Sequence, residues 1–500
     1  MIEVASIFQD NMILQREKKI AFWGKGDSGK EIVIKIQDKI GRGIVDEDGT
    51  WKIFIDALRA SEKEQLIIYG SQEKKVFENV AVGEVWVAAG QSNMEFQLFY
   101  EKDWIREKEN VNWNLRFYDV PKVCFDGQKE LFDYSRFGKW QSVRKEYLAY
   151  FSAVGYYFQK KIHDEEKVPV GIIGCNWGGT STSVWMKKSS VLRQWLDKFQ
   201  ADSSEMDMDE YWNTIRTNPI SDKGNPFANP IWNEMMRRTP TGEEIYLMSM
   251  QQYGKVEEPC QLMEPQTVPG CLYDHMLKTI VPYGVRGILW YQGESDDQDG
   301  LGKLHFDMLS RVIRDWREAF MDHELPFFIV QLPGFEQWLM IRNQEYSVIR
   351  ECQERVAKEI SHTYLCSISD AGEEFDIHPK NKRIVGERLS LLAEKHVYGR
   401  EVLCDPPKVR AAVYNEKRII ISFDNVGQQL KLKGKHINAL ELYGESDEVI
   451  RYSFEINKNQ ILLYPEYTVN KIRFAKDNWY KVNLYNENDI PAIPFQLILQ

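Results

Sequence analysis

Ser92 and His378 are the side chains of this chain best placed by their neighbours to act as a nucleophile and its base. Ser92 lies in Gly90-Gln91-Ser92-Asn93-Met94, directly after the apolar run Val85-Trp86-Val87-Ala88-Ala89. A strand that ends in glycine and turns into a polar segment delivers its serine to the crevice at the carboxyl edge of an open α/β sheet. Such a serine is a nucleophile only if a base takes its proton and fixed donors hold the oxyanion. His378 stands in a loop near Asp376 and directly before a proline suited to a first helical turn. His163, His305, His323 and His396 fall in or beside polar helical stretches and read as surface or helix-end residues. A neutral imidazole at 378 takes the serine proton and returns it to the departing alkoxide. Asp376 is the nearest acid to orient that imidazole; Asp296 and Glu294 are alternatives, and Asp370 a weaker one. Gly179 offers an N–H unshielded by a Cβ, and Gln292 offers a side-chain amide. With the N–H of Ser92 they make a three-donor oxyanion hole. Asn93, Trp177 and Glu294, beside these groups, read as substrate-binding residues.

Taken singly, each residue has a bland reading. Ser92 would be a helix cap, Gly178-Gly179 a tight turn, and His378 a helix-start residue. Convergence changes that. From about 81 to 400, apolar runs alternate with helical periods. The predicted strands are Val85–Ala89, Val170–Gly174, Gly287–Tyr291, Phe327–Gln331 and Tyr364–Ile368, and the helices lie near Tyr147–Ile162, Lys303–Met321, Arg342–Ile360 and Pro379–Val397. This alternation means a doubly wound, mostly parallel sheet. Its strand ends carry Gly90-Gln91-Ser92, Trp177-Gly178-Gly179, Gln292-Gly293-Glu294 and Asp376-Ile377-His378, which such a sheet brings to one edge. A segment of about 187–280, rich in Trp, Met, Asn and Pro, reads as an insertion of the kind that builds binding sites.

Residues 1–80 carry short strands separated by turn residues, which predicts a small sandwich-like module. The chain returns to β from about 405 to the end. The expected division is therefore 1–80, 81–404 and 405–500, consistent with a chain of 500 residues, too long for one core. A hydrophobic content of 43% and a charged content of 28% describe an ordinary soluble protein. A formal charge of −11 argues against nucleic acid or an anionic membrane as partner. Scattered cysteines without a CxxC pair favour reduced thiols over a disulfide framework or a zinc site, so neither metal nor cofactor is expected. The start shows no basic n-region or apolar h-region, which gives a cytoplasmic expectation. The oligomeric state stays open, a homodimer included.

Gly90-Gln91-Ser92-Asn93-Met94-Glu95, Gly178-Gly179-Thr180, Trp290-Tyr291-Gln292-Gly293-Glu294-Ser295 and Asp376-Ile377-His378-Pro379-Lys380-Asn381-Lys382 resemble the motifs of the sialate O-acetylesterase family of SGNH-type carbohydrate esterases. The resemblance implies an α/β fold: an SGNH (flavodoxin-like), doubly wound parallel sheet core flanked by N- and C-terminal β-sandwich-like modules. It implies metal-independent removal of acetyl groups from sugars through an acetyl-enzyme. Ser92 would be the nucleophile and His378 the base, with oxyanion donors at Ser92, Gly179 and Gln292. One departure stands out. The wider superfamily carries its acid three residues before the histidine, where this chain has Phe375. Asp376 then substitutes with altered geometry, or the site works as a Ser-His dyad. The implied substrates are O-acetyl sialic acid or acetylated plant oligosaccharides such as xylan fragments. No arginine cluster near the motifs demands a sialate carboxylate, although Arg116 and Arg286 could approach. Two other readings are a non-catalytic carbohydrate-binding protein with an inactive core and a lipid esterase or thioesterase; the polar, tryptophan-rich insertion speaks against the latter.

Overall fold

Alternation along one long strand, Lys74–Gly90, fixes the layout of the chain. Successive strand side chains point to opposite faces. Val85, Val87 and Ala89 enter one core, which also takes Ile288, Trp290, Phe327 and Ile329 from neighbouring strands. Trp86 and Ala88 enter the other, with Leu289, Phe328 and Val330. A strand apolar on both faces must be covered on both, and helices do this. Met308, Val312 and Trp316 of helix His305–Ala319 close the first core. Helices Ala153–Glu166 and Arg383–His396 close the second. The computed structural model describes residues 2–71, 73–130, 133–203, 230–238, 240–254, 265–297, 300–339, 341–415 and 418–499.

The central strands run in the order Trp140–Val143, Asn112–Asp119, Val170–Asn176, Lys74–Gly90, Gly287–Tyr291, Phe327–Val330, Thr363–Cys366. All neighbours are parallel except the first pair. Strands Val170–Asn176 and Gly287–Tyr291 lie on opposite sides of Lys74–Gly90, so the winding reverses there and a crevice opens at the carboxyl ends. The five strands and four helices expected in this region are present. Strands Asn112–Asp119 and Trp140–Val143 were not anticipated. The former contains Arg116, a residue atypical of a buried strand, whose guanidinium is satisfied by the carbonyls of Asn11, Met12, Asn79 and Trp113. The expected helix from Tyr147 starts instead at Ala153, where the Ser152 hydroxyl caps it by accepting the Gly155 N–H.

The first half of Lys74–Gly90 also pairs with Ile13–Gln15 and Ser61–Tyr69, so the N-terminal strands belong to the same eleven-stranded sheet. A second N-terminal sheet joins Ile2–Val4, Ile20–Gly26 and Thr50–Ile55. From Lys408 onward, a four-stranded and a three-stranded sheet enclose a core that includes Ile421, Leu442, Leu463 and Phe474. Of the insertion, helices Arg193–Ser203, Pro230–Arg237 and Gly242–Tyr253 are described, while 204–229 and 255–264 lie outside the described residues. No helix among the described residues is long and apolar enough to cross a membrane.

Gly90 ends the long strand at φ 129°, and a Cβ there would stand 2.1 Å from the Tyr291 carbonyl oxygen. Gly90→Ala is expected to cost at least about 2 kcal/mol, since it adds backbone strain to a clash with a fixed strand. Thermal unfolding of the variant measures this; an unchanged Tm would show that the strand end is not set by this contact.

Candidate active site

Three parallel strands stop level with one another. Gly90 pairs across to Asn176 on one side and to Tyr291 on the other. The chain then turns at Gln91, whose N–H donates to the Tyr291 carbonyl, and Ser92 opens the one-turn helix Ser92–Glu95. The Gln91 side chain reaches the next strand's turn: its Oε1 accepts the Ser295 N–H at 3.1 Å. On the other side, the Ser152 hydroxyl donates to the Met94 carbonyl at 2.6 Å. The serine turn is thus anchored to the following strand end and to the cap of helix Ala153–Glu166.

The structure brings His378 to Ser92 across 286 residues: Nε2 and Oγ are 2.9 Å apart. Asn93 makes this meeting possible. Its Nδ2 donates to the Ile377 carbonyl at 2.9 Å and to Glu294, and its Oδ1 accepts from Lys382 Nζ. Asn93, Glu294 and Lys382 are all buried. The amide therefore ties the histidine loop to the serine turn, and its hydrogen-bonding groups are engaged within the protein. Burial and the nearby Lys380 and Lys382 ammonium groups hold the His378 pKa well below its ordinary 6.5, so the ring is neutral near pH 7. Burial also lowers Lys382 to about 7, and raises the Glu294 carboxyl.

The acid is placed differently from the sequence expectation. Asp376 accepts the main-chain N–H of His378 at 2.9 Å, and its other oxygen pairs with Lys380 at 2.7 Å. It thus braces the loop rather than the ring, because the short spacing turns its carboxylate onto the backbone. His378 Nδ1 is buried without a hydrogen-bond partner among the described residues. The alternatives are engaged elsewhere. Asp296 binds Thr182 and His305, Glu294 binds Asn93, and Asp370 forms a bidentate pair with Arg388. Phe375 is exposed. Contrary to expectation, His305 is fully buried, held by Asp296 at 2.7 Å.

Of the expected oxyanion donors, Gly179 lies exposed at φ 73°, and neither its N–H nor that of Ser92 donates to another group among the described residues. Gln292 is arranged otherwise. It is fully buried, and its Nε2 donates to the Thr180 carbonyl and to Asp296, while its Oε1 accepts from Thr182. Both amide protons are committed to this network, because Asp296 supplies a stronger acceptor than a neutral group would. Trp177 is half-buried beside the same turn. Arg116 and Arg286 do not face the site: Arg116 serves buried carbonyls and Arg286 pairs with Glu84.

Sequence reasoning missed Trp338. Its ring meets the His378 imidazole edge-on, with centroids 5.1 Å apart at 89°, while Phe96 stands on the ring at 6.4 Å. Trp338 also packs with Ile231, Met235 and Ile245 of two insertion helices. Its segment is braced by the C-terminal module, where the Phe335 N–H donates to the Asn478 carbonyl. Only the tryptophan content hinted at such a contact. Away from these residues, His396, Cys404 and Asp405 gather their ligand atoms within 4.8 Å, but Lys395 already neutralises Asp405.

The family model described as SASA, carbohydrate esterase, sialic acid-specific acetylesterase, matches residues 82–208 and 226–390. Sialate O-acetylesterase of Mus musculus is 23% identical over 438 residues, covering 80% of this chain and 74% of that protein. The Rattus norvegicus protein of the same name is 22% identical over 545 residues, covering 98% and 93%. The crystal structure of a carbohydrate acetylesterase from Xanthomonas citri shares the fold, with a TM-score of 0.77 over 100% of both chains at 23% identity. The family match takes in more than half of the chain, including the serine turn, the Gly178-Gly179 turn and the histidine loop, and on that ground the chain belongs to the SASA family of carbohydrate esterases and is a carboxylic-ester hydrolase.

Proposed function

We propose that this chain removes O-acetyl groups from sugars by nucleophilic catalysis at Ser92, with His378 as general base and then general acid. The observation that carries the reading is the 2.9 Å contact between Ser92 Oγ and His378 Nε2, with the imidazole buried and neutral. Ser92 Oγ attacks the acetyl carbon as its proton passes to Nε2, giving a tetrahedral oxyanion. The N–H groups of Ser92 and Gly179 are the available donors to that oxygen. Collapse breaks the bond to the sugar oxygen, which leaves with the proton from Nε2. A water molecule, deprotonated by the same nitrogen, then releases acetate from Ser92.

The site works in this reading as a Ser-His dyad, with Asp376 holding the backbone of the base. Phe96, Trp338 and the Asn93 link to Ile377 do the orienting that a carboxylate on Nδ1 does in a triad. The strand order, with a serine at the reversal point of a parallel sheet, supports an SGNH core. The substrate class in this reading is an acetylated sugar, from O-acetyl sialic acid to acetylated xylo-oligosaccharide. A non-catalytic carbohydrate-binding role is disfavoured, because such a protein has no need of a neutral buried imidazole on a serine hydroxyl.

Acetate release from O-acetyl sialic acids, xylo-oligosaccharides and manno-oligosaccharides tests the reading directly. Release from one class is expected to fall about 10³-fold or more in Ser92→Ala; release unaffected by that change would remove Ser92 from the reaction. The pH profile offers a second check. Activity requires neutral His378, and the neutral form persists below the ordinary imidazole value, so the acid limb of kcat/KM is expected below pH 6.5. An acid limb at or above that value would mean that burial and the lysines do not govern the base.

A further inference from the structure

The turn that carries Gly179 is held at successive polar groups. Asn176 Nδ2 donates to the Ala88 carbonyl at 3.0 Å, and the Asn176 carbonyl accepts from Lys122 Nζ at 2.9 Å. The Trp177 N–H donates to the Gly90 carbonyl at 3.1 Å, and its carbonyl accepts from the Thr180 hydroxyl at 2.7 Å. The Gly178 N–H donates to Glu95 Oε2 at 2.6 Å. The next N–H along is that of Gly179, which donates to no group among the described residues. Glu95 is the last residue of the helix that Ser92 opens, so one rigid turn carries both the nucleophile and the acceptor that anchors the glycine turn. The two segments touch: a Cβ on Gly178 would stand 3.2 Å from Ser92 Cβ.

Charge completes the arrangement. A bare carboxylate beside a developing oxyanion would raise its energy in a partly desolvated site. Lys122 Nζ lies 2.7 Å from Glu95 Oε1, and the two side chains are only 10% and 16% exposed. The pair is close to neutral as seen from the reaction centre, while its hydrogen bond to Gly178 remains. We propose that Glu95, neutralised by Lys122, is a positioning residue for the oxyanion hole, aiming the Gly179 N–H at the oxygen that forms on Ser92-bound substrate. This rests on the reading of Ser92 as nucleophile.

The test separates binding of the ground state from stabilisation of the tetrahedral state. Methylboronic acid, which adds to a nucleophilic serine to give a tetrahedral anion, serves as the probe alongside acetate release. Glu95→Ala is expected to lower kcat about 10–100-fold with KM within about twofold, and to weaken methylboronic acid by a similar factor. Glu95→Gln, which keeps an acceptor for Gly178 without the charge, loses less than Glu95→Ala. Lys122→Met leaves the carboxylate uncompensated and lowers kcat, and Glu95→Gln in the Lys122→Met background recovers part of that loss. A merely structural pair would not give that recovery. Methylboronic acid affinity unchanged in folded Glu95→Ala overturns the proposal. Where Glu95→Ala does not fold, a Lys122→Met background that Glu95→Gln fails to improve overturns it equally. Failure of the underlying reading looks different: the unmodified enzyme would then not bind methylboronic acid, or Ser92→Ala would still release acetate.

Discussion

The site depends on three parallel strands ending at the same level, at Gly90, Asn176 and Tyr291. Parallel hydrogen bonding sets that register, and the absence of a side chain at Gly90 lets the serine strand approach the Tyr291 carbonyl closely enough to keep it. Each strand then releases its chain at one edge, so a serine, a glycine turn and a glutamine turn arise side by side without a long loop to place them. The histidine is the exception. It arrives from beyond the last strand, 286 residues from Ser92, and needs a separate tether. Asn93 provides it, with an amide that reads the backbone of the histidine loop through the Ile377 carbonyl.

That tether places charges where water is excluded. Lys382 and Glu294 are both buried, and an ionised group taken out of water costs several kcal/mol unless it is paired and hydrogen-bonded. Asn93 stands between them and accepts from one while donating to the other. The same desolvation acts on His378 with a useful sign. A base must be neutral to accept a proton, and burial together with two neighbouring ammonium groups favours the neutral ring. The arrangement thus keeps the imidazole unprotonated without a carboxylate on Nδ1. In the proposed mechanism the cost comes when the imidazolium forms, because no anion among the described residues stands against that nitrogen. Trp338, perpendicular to the imidazole with ring centroids 5.1 Å apart, is the aromatic neighbour within reach of that charge.

Much of this was legible in the sequence, for physical reasons. The apolar runs Val85–Ala89, Val170–Gly174, Gly287–Tyr291 and Tyr364–Ile368 are of strand length and suit a strand covered on both faces, and the polar segments after them mark the ligand edge. The positions of Ser92, His378 and Gly179 at that edge follow from the pattern. Asp376 and Gln292 did not, because residue type does not reveal which way a short polar side chain turns. Two residues before the histidine, the Asp376 carboxylate reaches the backbone N–H sooner than the ring. Gln292 is claimed by Asp296, a partner only four residues on whose charge no spacing rule advertises. Strand Asn112–Asp119 was hidden by Arg116, which is tolerated in the interior because four carbonyls, three of them from other segments, converge on it. Trp338 was hidden apart from the tryptophan content of the chain, since its contact with His378 exists only through the tertiary fold.

Committed hydrogen bonds also divide the roles at the site. On one flank Gln292, Thr182, Asp296 and His305 form a buried network; on the other Asn93, Glu294 and Lys382 form a second. Neither network offers a ligand what it already gives the protein, since a buried polar group that changes partner loses a satisfied bond. In the proposed mechanism the Ser92 hydroxyl, His378 Nε2 and the Ser92 and Gly179 N–H groups serve the acetyl group, whatever sugar carries it. Discrimination among sugars must then be built outside this centre. The half-buried Trp177 stands on the glycine turn, an apolar face beside polar edges, and the Trp338 segment, braced by insertion helices and by the C-terminal module, packs against His378.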